Sequence, residues 1–170
     1  MSAPNNGAGK HTSQAHAVRV FLVGTEYWRS AGGIQYVNRL LARALADIST
    51  ATPLHLEGFS YGDAAEVARG HSTDACRWHA FDRHRGAMAW RMAGRLLAAQ
   101  PHLVLFTHVN LLPLAGLVRR LSPRARVALL AHGVEVWGPL RERAARALQN
   151  ADQVVAPSAY TRERLIAAHG

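Results

Sequence analysis

The chain has one cysteine, one lysine, few acids and no long hydrophobic run. Cys76 stands alone among 170 residues, so neither an intrachain disulfide nor a cysteine cage for a metal can form, which fits a reducing cytoplasm. No apolar stretch reaches the roughly 18–20 residues that a membrane-spanning helix needs. The start, Met1 to His16, lacks the apolar centre of a secretory signal, and residues 1–17 read as a disordered tail. Only 11 Asp and Glu face 20 Lys and Arg, a net charge of +9, and because Lys10 is the only lysine the excess is arginine. Arginine forks suit phosphates, anionic lipids and nucleic acids alike. The four tryptophans do not interleave with basic residues as in a nucleic-acid module, so no nucleic-acid partner is expected.

The content is otherwise that of a globular domain: 49% of residues are hydrophobic, sufficient for one core over 18–170. Short apolar runs near 18–24, 53–59, 76–81, 102–107, 126–131 and 152–156, rich in Val and Leu, predict buried parallel strands. Helical patterns fall between them near 33–48, 63–69, 83–99, 111–121, 138–150 and 159–168. Strict alternation of this kind predicts an α/β fold, a Rossmann-like doubly wound parallel sheet with helices on both faces. Ligands of such sheets gather outside the carboxyl ends of the strands.

The residues that follow each run are therefore the candidates. After the first come Glu26, Tyr27 and Trp28, then Gly32 and Gly33 at the start of a long amphipathic helix. A strand that delivers a glycine pair to a helix start presents free N–H groups and the positive helix end, which is anion-binding geometry, although a plain turn before a helix reads the same way. The spacing is neither G-x-G-x-x-G nor the P-loop pattern. The fourth run leads to His108 and Asn110, the fifth to His132 and Glu135, and the sixth to Ser158, which after Pro157 reads as a helix cap. Two histidines at matching strand ends, beside a carboxylate and a glycine loop, favour a site over hydrogen-bonded structural roles.

Other features carry blander readings. The 83–99 helix places Met88, Met92 and Leu96 on an apolar face edged by Arg91 and Arg95; a basic membrane-facing surface competes with a sheet-covering helix whose arginines are solvated, and the second is favoured. Arg119, Arg120, Arg124 and Arg126 are likewise expected on a solvated face. His71, His79 and His84 lack metal-ligand spacing, and no metal is expected. A metal-dependent hydrolase built on His108, His132 and Glu135 has no recognisable ligand motif.

Three segments carry a family resemblance: Ala31-Gly-Gly-Ile-Gln-Tyr-Val-Asn-Arg-Leu-Leu-Ala-Arg-Ala-Leu45, Ala131-His-Gly-Val-Glu-Val-Trp137, and Ala151-Asp-Gln-Val-Val-Ala-Pro-Ser-Ala-Tyr-Thr-Arg-Glu-Arg-Leu165. In that order, from about Val18 to Gly170, the chain resembles the amino-terminal, acceptor-side domain of family 4 glycosyltransferases, retaining enzymes of GT-B fold. The resemblance implies transfer of a sugar from an NDP-sugar to a hydroxyl of a glycan, lipid-linked or small-molecule acceptor. The NDP-sugar is a co-substrate, and no cofactor or obligatory metal is implied. By the same resemblance Gly32 and Gly33 would meet the donor phosphates and His132 the transferred sugar, as the catalytic residue. Glu26, Tyr27, Trp28, His108 and Asn110 would face the acceptor, with Glu135 and Ser158 at the site edge. The donor-binding half of the family pattern does not occur in these residues, so a missing domain or a partner chain is expected to complete the cleft and the chain alone to be inactive. The cytoplasm is the expected compartment, with peripheral contact at the inner membrane face if the acceptor is lipid-linked. The alternative is a non-catalytic Rossmann-like module that binds a nucleotide, lipid or protein.

Overall fold

The structure is a computed structural model that describes residues 17–74 and 76–169; the tail expectation for 1–17 falls almost wholly outside them. Six strands form one sheet: β1 Val18–Gly24, β2 Leu54–Ser60, β3 Cys76–Ala80, β4 Leu103–Phe106, β5 Arg126–Leu130 and β6 Gln153–Val155. Every neighbouring pair is parallel, and their order is β3-β2-β1-β4-β5-β6. The chain thus builds outward from β1 in one direction, returns across the sheet, and builds outward again from β4. The reversal lies between β1 and β4, whose following helices cover opposite faces of the sheet, the point at which sheets of this topology leave a crevice for ligands.

The helices are α1 Gly33–Ala51, α2 Ala65–Gly70, α3 Arg85–Ala99, α4 Ala115–Leu121, α5 Glu142–Leu148 and α6 Ala159–His169, with a 3-10 helix at Val109–Leu114. Two apolar clusters show which face each covers. Leu41, Ala42 and Leu45 of α1 and Ala68 of α2 pack with Val20, Leu22, Leu56 and Trp78. Met88, Met92 and Leu96, one turn apart along α3, pack with Phe21, Val23, Val104 and Phe106 on the other face, where the 3-10 helix, α4 and α5 join them. Residues of β1 alternate between the two clusters, so the central strand is buried on both sides as its unbroken apolar run requires. Among the described residues no helix is long and apolar enough to cross a membrane.

Element ends shift from the sequence expectation for local reasons. The helix expected over 111–121 divides at the 3-10 turn that contains Pro113, whose missing N–H interrupts the i to i−4 ladder. The helix expected over 138–150 begins only at Glu142, after Pro139. α2 starts two residues late because Ala64 is extended (ψ 152°) and Asp63 is committed elsewhere. Gly58 is a requirement of β2: a Cβ there would lie inside the ring of Trp78 on β3.

Candidate active site at the carboxyl edge of the sheet

Parallel pairing places the loops after β1, β4, β5 and β6 along one edge, so Gly32, Gly33, His108, His132 and Ser158 share it. The loop after β1 owes its shape to a residue that sequence reasoning missed. Asp63, fully buried, accepts hydrogen bonds from the backbone N–H of Tyr27 (2.7 Å), Trp28 (3.1 Å) and Arg29 (2.7 Å) and from Ser60 Oγ (2.6 Å). Three consecutive amides converge on one carboxylate, a concavity that only an anion fills well. Asn38 Nδ2 and Arg39 Nη1 of α1 donate to the carbonyls of Glu26 and Tyr27 (3.1 and 2.6 Å) and tie the loop to the helix. The signal was available: Ser60-Tyr-Gly-Asp63 follows the second apolar run.

This scaffold corrects two assignments. Tyr27 does not face an acceptor; its ring is fully buried against Trp78 (centroids 4.6 Å apart), because the Asp63 cradle turns the residue inward. Burial also drives its phenol pKa up. Glu26 is occupied: Ser30 Oγ (2.6 Å) and Arg83 Nη2 (3.0 Å) donate to it, and the Ser30 hydrogen bond leads the interactions that hold its pKa below 4.5. Arg83 and Asp82, which pairs with Arg29 at 2.6 Å, both sit at positive φ (67° and 40°), left-handed conformations that the two ion pairs accompany in the turn before α3. Trp28 stacks on His71 (4.2 Å, 3° between planes) and lines, with Tyr36 and Arg39, a cavity of about 500 Å³ against α1.

At the start of α1 neither glycine is demanded by the chain itself. Gly32 is extended (φ 178°), a Cβ on it would meet only the flexible end of Gln35, and one on Gly33 would meet nothing. The first turn carries no side-chain cap and no acidic residue. The positive end of a 19-residue helix is therefore left open to the crevice.

Across the reversal point, Glu135 brackets its own loop: its two oxygens accept from the backbone N–H of His132 (2.6 Å) and Gly133 (3.0 Å). That is a structural role for a residue expected at the site edge. His132 is half-buried, and its Nε2 is shielded from solvent with no hydrogen-bond partner. Burial outweighs the Glu135 carboxylate and the Thr107 carbonyl and holds the imidazole pKa below 6.5, so the ring is neutral near pH 7. His108 is held neutral by burial in the same way, and its Nδ1 accepts from the Asn110 N–H (3.1 Å), capping the 3-10 helix. Ser158 is the expected cap of α6: its Oγ accepts from the Thr161 N–H at 3.1 Å.

The family model for glycosyltransferase family 4 matches residues 31–170. The chain belongs to glycosyltransferase family 4. Among solved structures this family 4 domain is similar to a lipopolysaccharide outer core galactosyltransferase, WaaB, in its apo form, with a TM-score of 0.58 at 15% identity. The match covers 89% of this chain and 42% of that one, so the domain spans about two fifths of the galactosyltransferase's length. That likeness shows the fold, one half of a GT-B architecture. A protein of unknown function from Vibrio parahaemolyticus also aligns, over 85% of this chain and 96% of its own, at 11% identity and a TM-score of 0.43, too low to carry an argument. None of the curated proteins matches the sequence.

Two charged features of the family 4 domain depart from expectation. Arg95 is not solvated: it donates from Nε (2.8 Å) and Nη2 to Glu57, which also meets His79 Nε2 at 3.3 Å. Arg119 is tied down as well, to Asp152 (2.8 Å) and to the carbonyls of Asn150 and Ala125.

Proposed function

We propose that the chain is the acceptor-side half of a retaining glycosyltransferase that moves a sugar from an NDP-sugar to an acceptor hydroxyl. The bond from the anomeric carbon to the donor phosphate breaks, and a bond to the acceptor oxygen forms on the same face of the sugar. The observation that carries this reading is the buried, unpartnered Nε2 of a neutral His132, held by Glu135 at the crevice edge of a family 4 domain. An unmatched polar nitrogen in a buried position is a standing vacancy for a hydrogen bond, and a turn of the half-buried His132 ring would present it to a hydroxyl of the transferring sugar. The open amides of Gly32, Gly33 and Ile34 face the phosphate on which charge grows as the bond breaks, where donors fixed in advance are most effective. The reading assigns His108, whose Nδ1 already accepts from the Asn110 N–H, and Asn110 to the acceptor. The reading needs no metal and no cofactor beyond the NDP-sugar, places the reaction in the cytoplasm or at its membrane face, and requires a donor-binding domain. Exposed Val134 (73%), on the loop after β5, and Tyr36 (62%), near the start of α1, offer that domain apolar surface.

The test is reconstitution. A donor-binding domain of the same family, fused after Gly170 or added as a second chain, should confer transfer that the chain alone lacks. His132→Ala should then lower kcat about 100-fold with KM changed far less, the mark of a group used mainly in the transition state. A reconstituted enzyme indifferent to His132→Ala overturns the assignment.

A further inference from the structure

A second cavity opens on the same edge, about 420 Å³ in volume, between the start of α3, the 3-10 helix and the start of α5. Its floor is apolar, formed by Met88, Leu111 and Leu114, and its rim carries Arg85, Arg141 and Arg143. No Asp or Glu lines it. Like most arginines of the chain, these three make no ion pair among the described residues; what sets them apart is that they share one opening whose lining holds no carboxylate. Arg85 is instead poised over the Tyr61 ring, its guanidinium carbon 5.6 Å from the centroid, a contact that orients the fork without neutralising it. Three like charges around one opening repel one another, and the cost is relieved when an anion enters.

Resting on the acceptor-side reading above, we infer that this cavity is an acceptor subsite for an amphiphile that carries a phosphate group on an apolar body. The arginines grip the phosphate oxygens, for which planar forks are well matched. The apolar part lies over Met88, Leu111 and Leu114, and the volume holds a head group and the first segment of a chain but no more. Asn110 lies in the cavity lining and its backbone N–H bonds to His108, so the phosphate end of such a molecule is anchored beside the crevice where a hydroxyl is to react. A free sugar phosphate satisfies the arginines and leaves the apolar floor wet. The floor is what selects the amphiphile.

The experiment reads binding to the chain itself, without transfer, by NMR or calorimetric titration. Three monomeric probes are compared: dihexanoyl phosphatidic acid, glycerol 3-phosphate, which has the head group without chains, and dihexanoyl phosphatidylcholine, which has the chains without net charge. Phosphatidic acid should bind at least about tenfold tighter than either, with affinity that falls as salt rises. Arg141→Gln with Arg143→Gln should weaken it about tenfold or more without moving Tm, while Arg91→Gln, exposed on α3 outside the cavity, should leave it unchanged. His132→Ala should also leave it unchanged, so failure of the transfer assay and failure of this subsite are separate results. Equal affinity for glycerol 3-phosphate refutes the amphiphile. Equal loss at Arg91 shows diffuse charge attraction, and no binding of phosphatidic acid removes the site.

Discussion

Asp63→Asn changes one atom in the loop that fronts the crevice, and its effect follows from counting donors. In the native protein four donors meet the carboxylate: the N–H of Tyr27, Trp28 and Arg29 and the hydroxyl of Ser60. Asparagine keeps one carbonyl oxygen and replaces the other with NH2, a donor aimed at donors. At least two partners lose their acceptor in a site with no water access, since Asp63 and Ser60 are fully buried. With about 1–3 kcal/mol for each orphaned group bonded to a charge, the variant should lose roughly 3–5 kcal/mol. A domain of this size has roughly 5–15 kcal/mol in all, so it should remain folded and measurable. Urea unfolding should show a midpoint lowered by about 1–3 M with the slope m unchanged. Hydrogen exchange adds a local readout: the amides of Tyr27, Trp28 and Arg29 should lose protection before those of β1 do. Ser60→Ala, which removes one donor and keeps the carboxylate, should cost only about 1 kcal/mol. A loss below about 1 kcal/mol in Asp63→Asn, or unchanged exchange at the three amides, refutes the claim that this carboxylate shapes the loop.

Two further outcomes follow from the packing and the charges. Gly58→Ala should destabilise by about 2–3 kcal/mol in urea unfolding, and Trp78→Leu in the same chain should recover part of it, because the clash is with that ring; simple additivity of the two losses refutes the account. Glu57 tests electrostatics: burial pushes its pKa up, yet the Arg95 and His79 hydrogen bonds prevail and bring it down to about 2. Its folded pKa lies below the unfolded value of 4.5, so its stabilisation is present above pH 4.5 and fades as pH falls towards 2. Glu57→Gln should therefore be less stable than the native chain by roughly 2–3 kcal/mol at pH 6 and equal to it near pH 2, and a gap independent of pH refutes the ion pair. His108 and His132 act in a higher window with their pKa values also lowered: the unfolded chain binds the protons first, so stability falls as pH drops below 6.5.

The strand-helix alternation was legible because period and length suffice to reveal a buried parallel strand. It placed all six strands within a residue or two, and from the parallel sheet it followed that Gly32, His108 and His132 share an edge. What failed was the reading of individual side chains. Tyr27 resembles an exposed loop aromatic in sequence and is core in the fold. Arg95 and Arg119 resemble solvated charges, and their partners Glu57 and Asp152 lie 38 and 33 positions away.

By itself, then, the sequence determined the architecture and its family, because hydrophobic periodicity and strand-loop-helix order are local properties that each segment carries whole. The tertiary structure decided which polar groups are spent on holding the chain and which are left over. Glu26, Glu135, Asp63 and Ser158 are spent, whereas His132 Nε2, the first amides of α1 and the arginines at 85, 141 and 143 are left over. A hydrogen bond is satisfied by whatever donor or acceptor lies within about 3 Å, and proximity at that scale between residues tens of positions apart exists only once the sheet has brought its strand ends together.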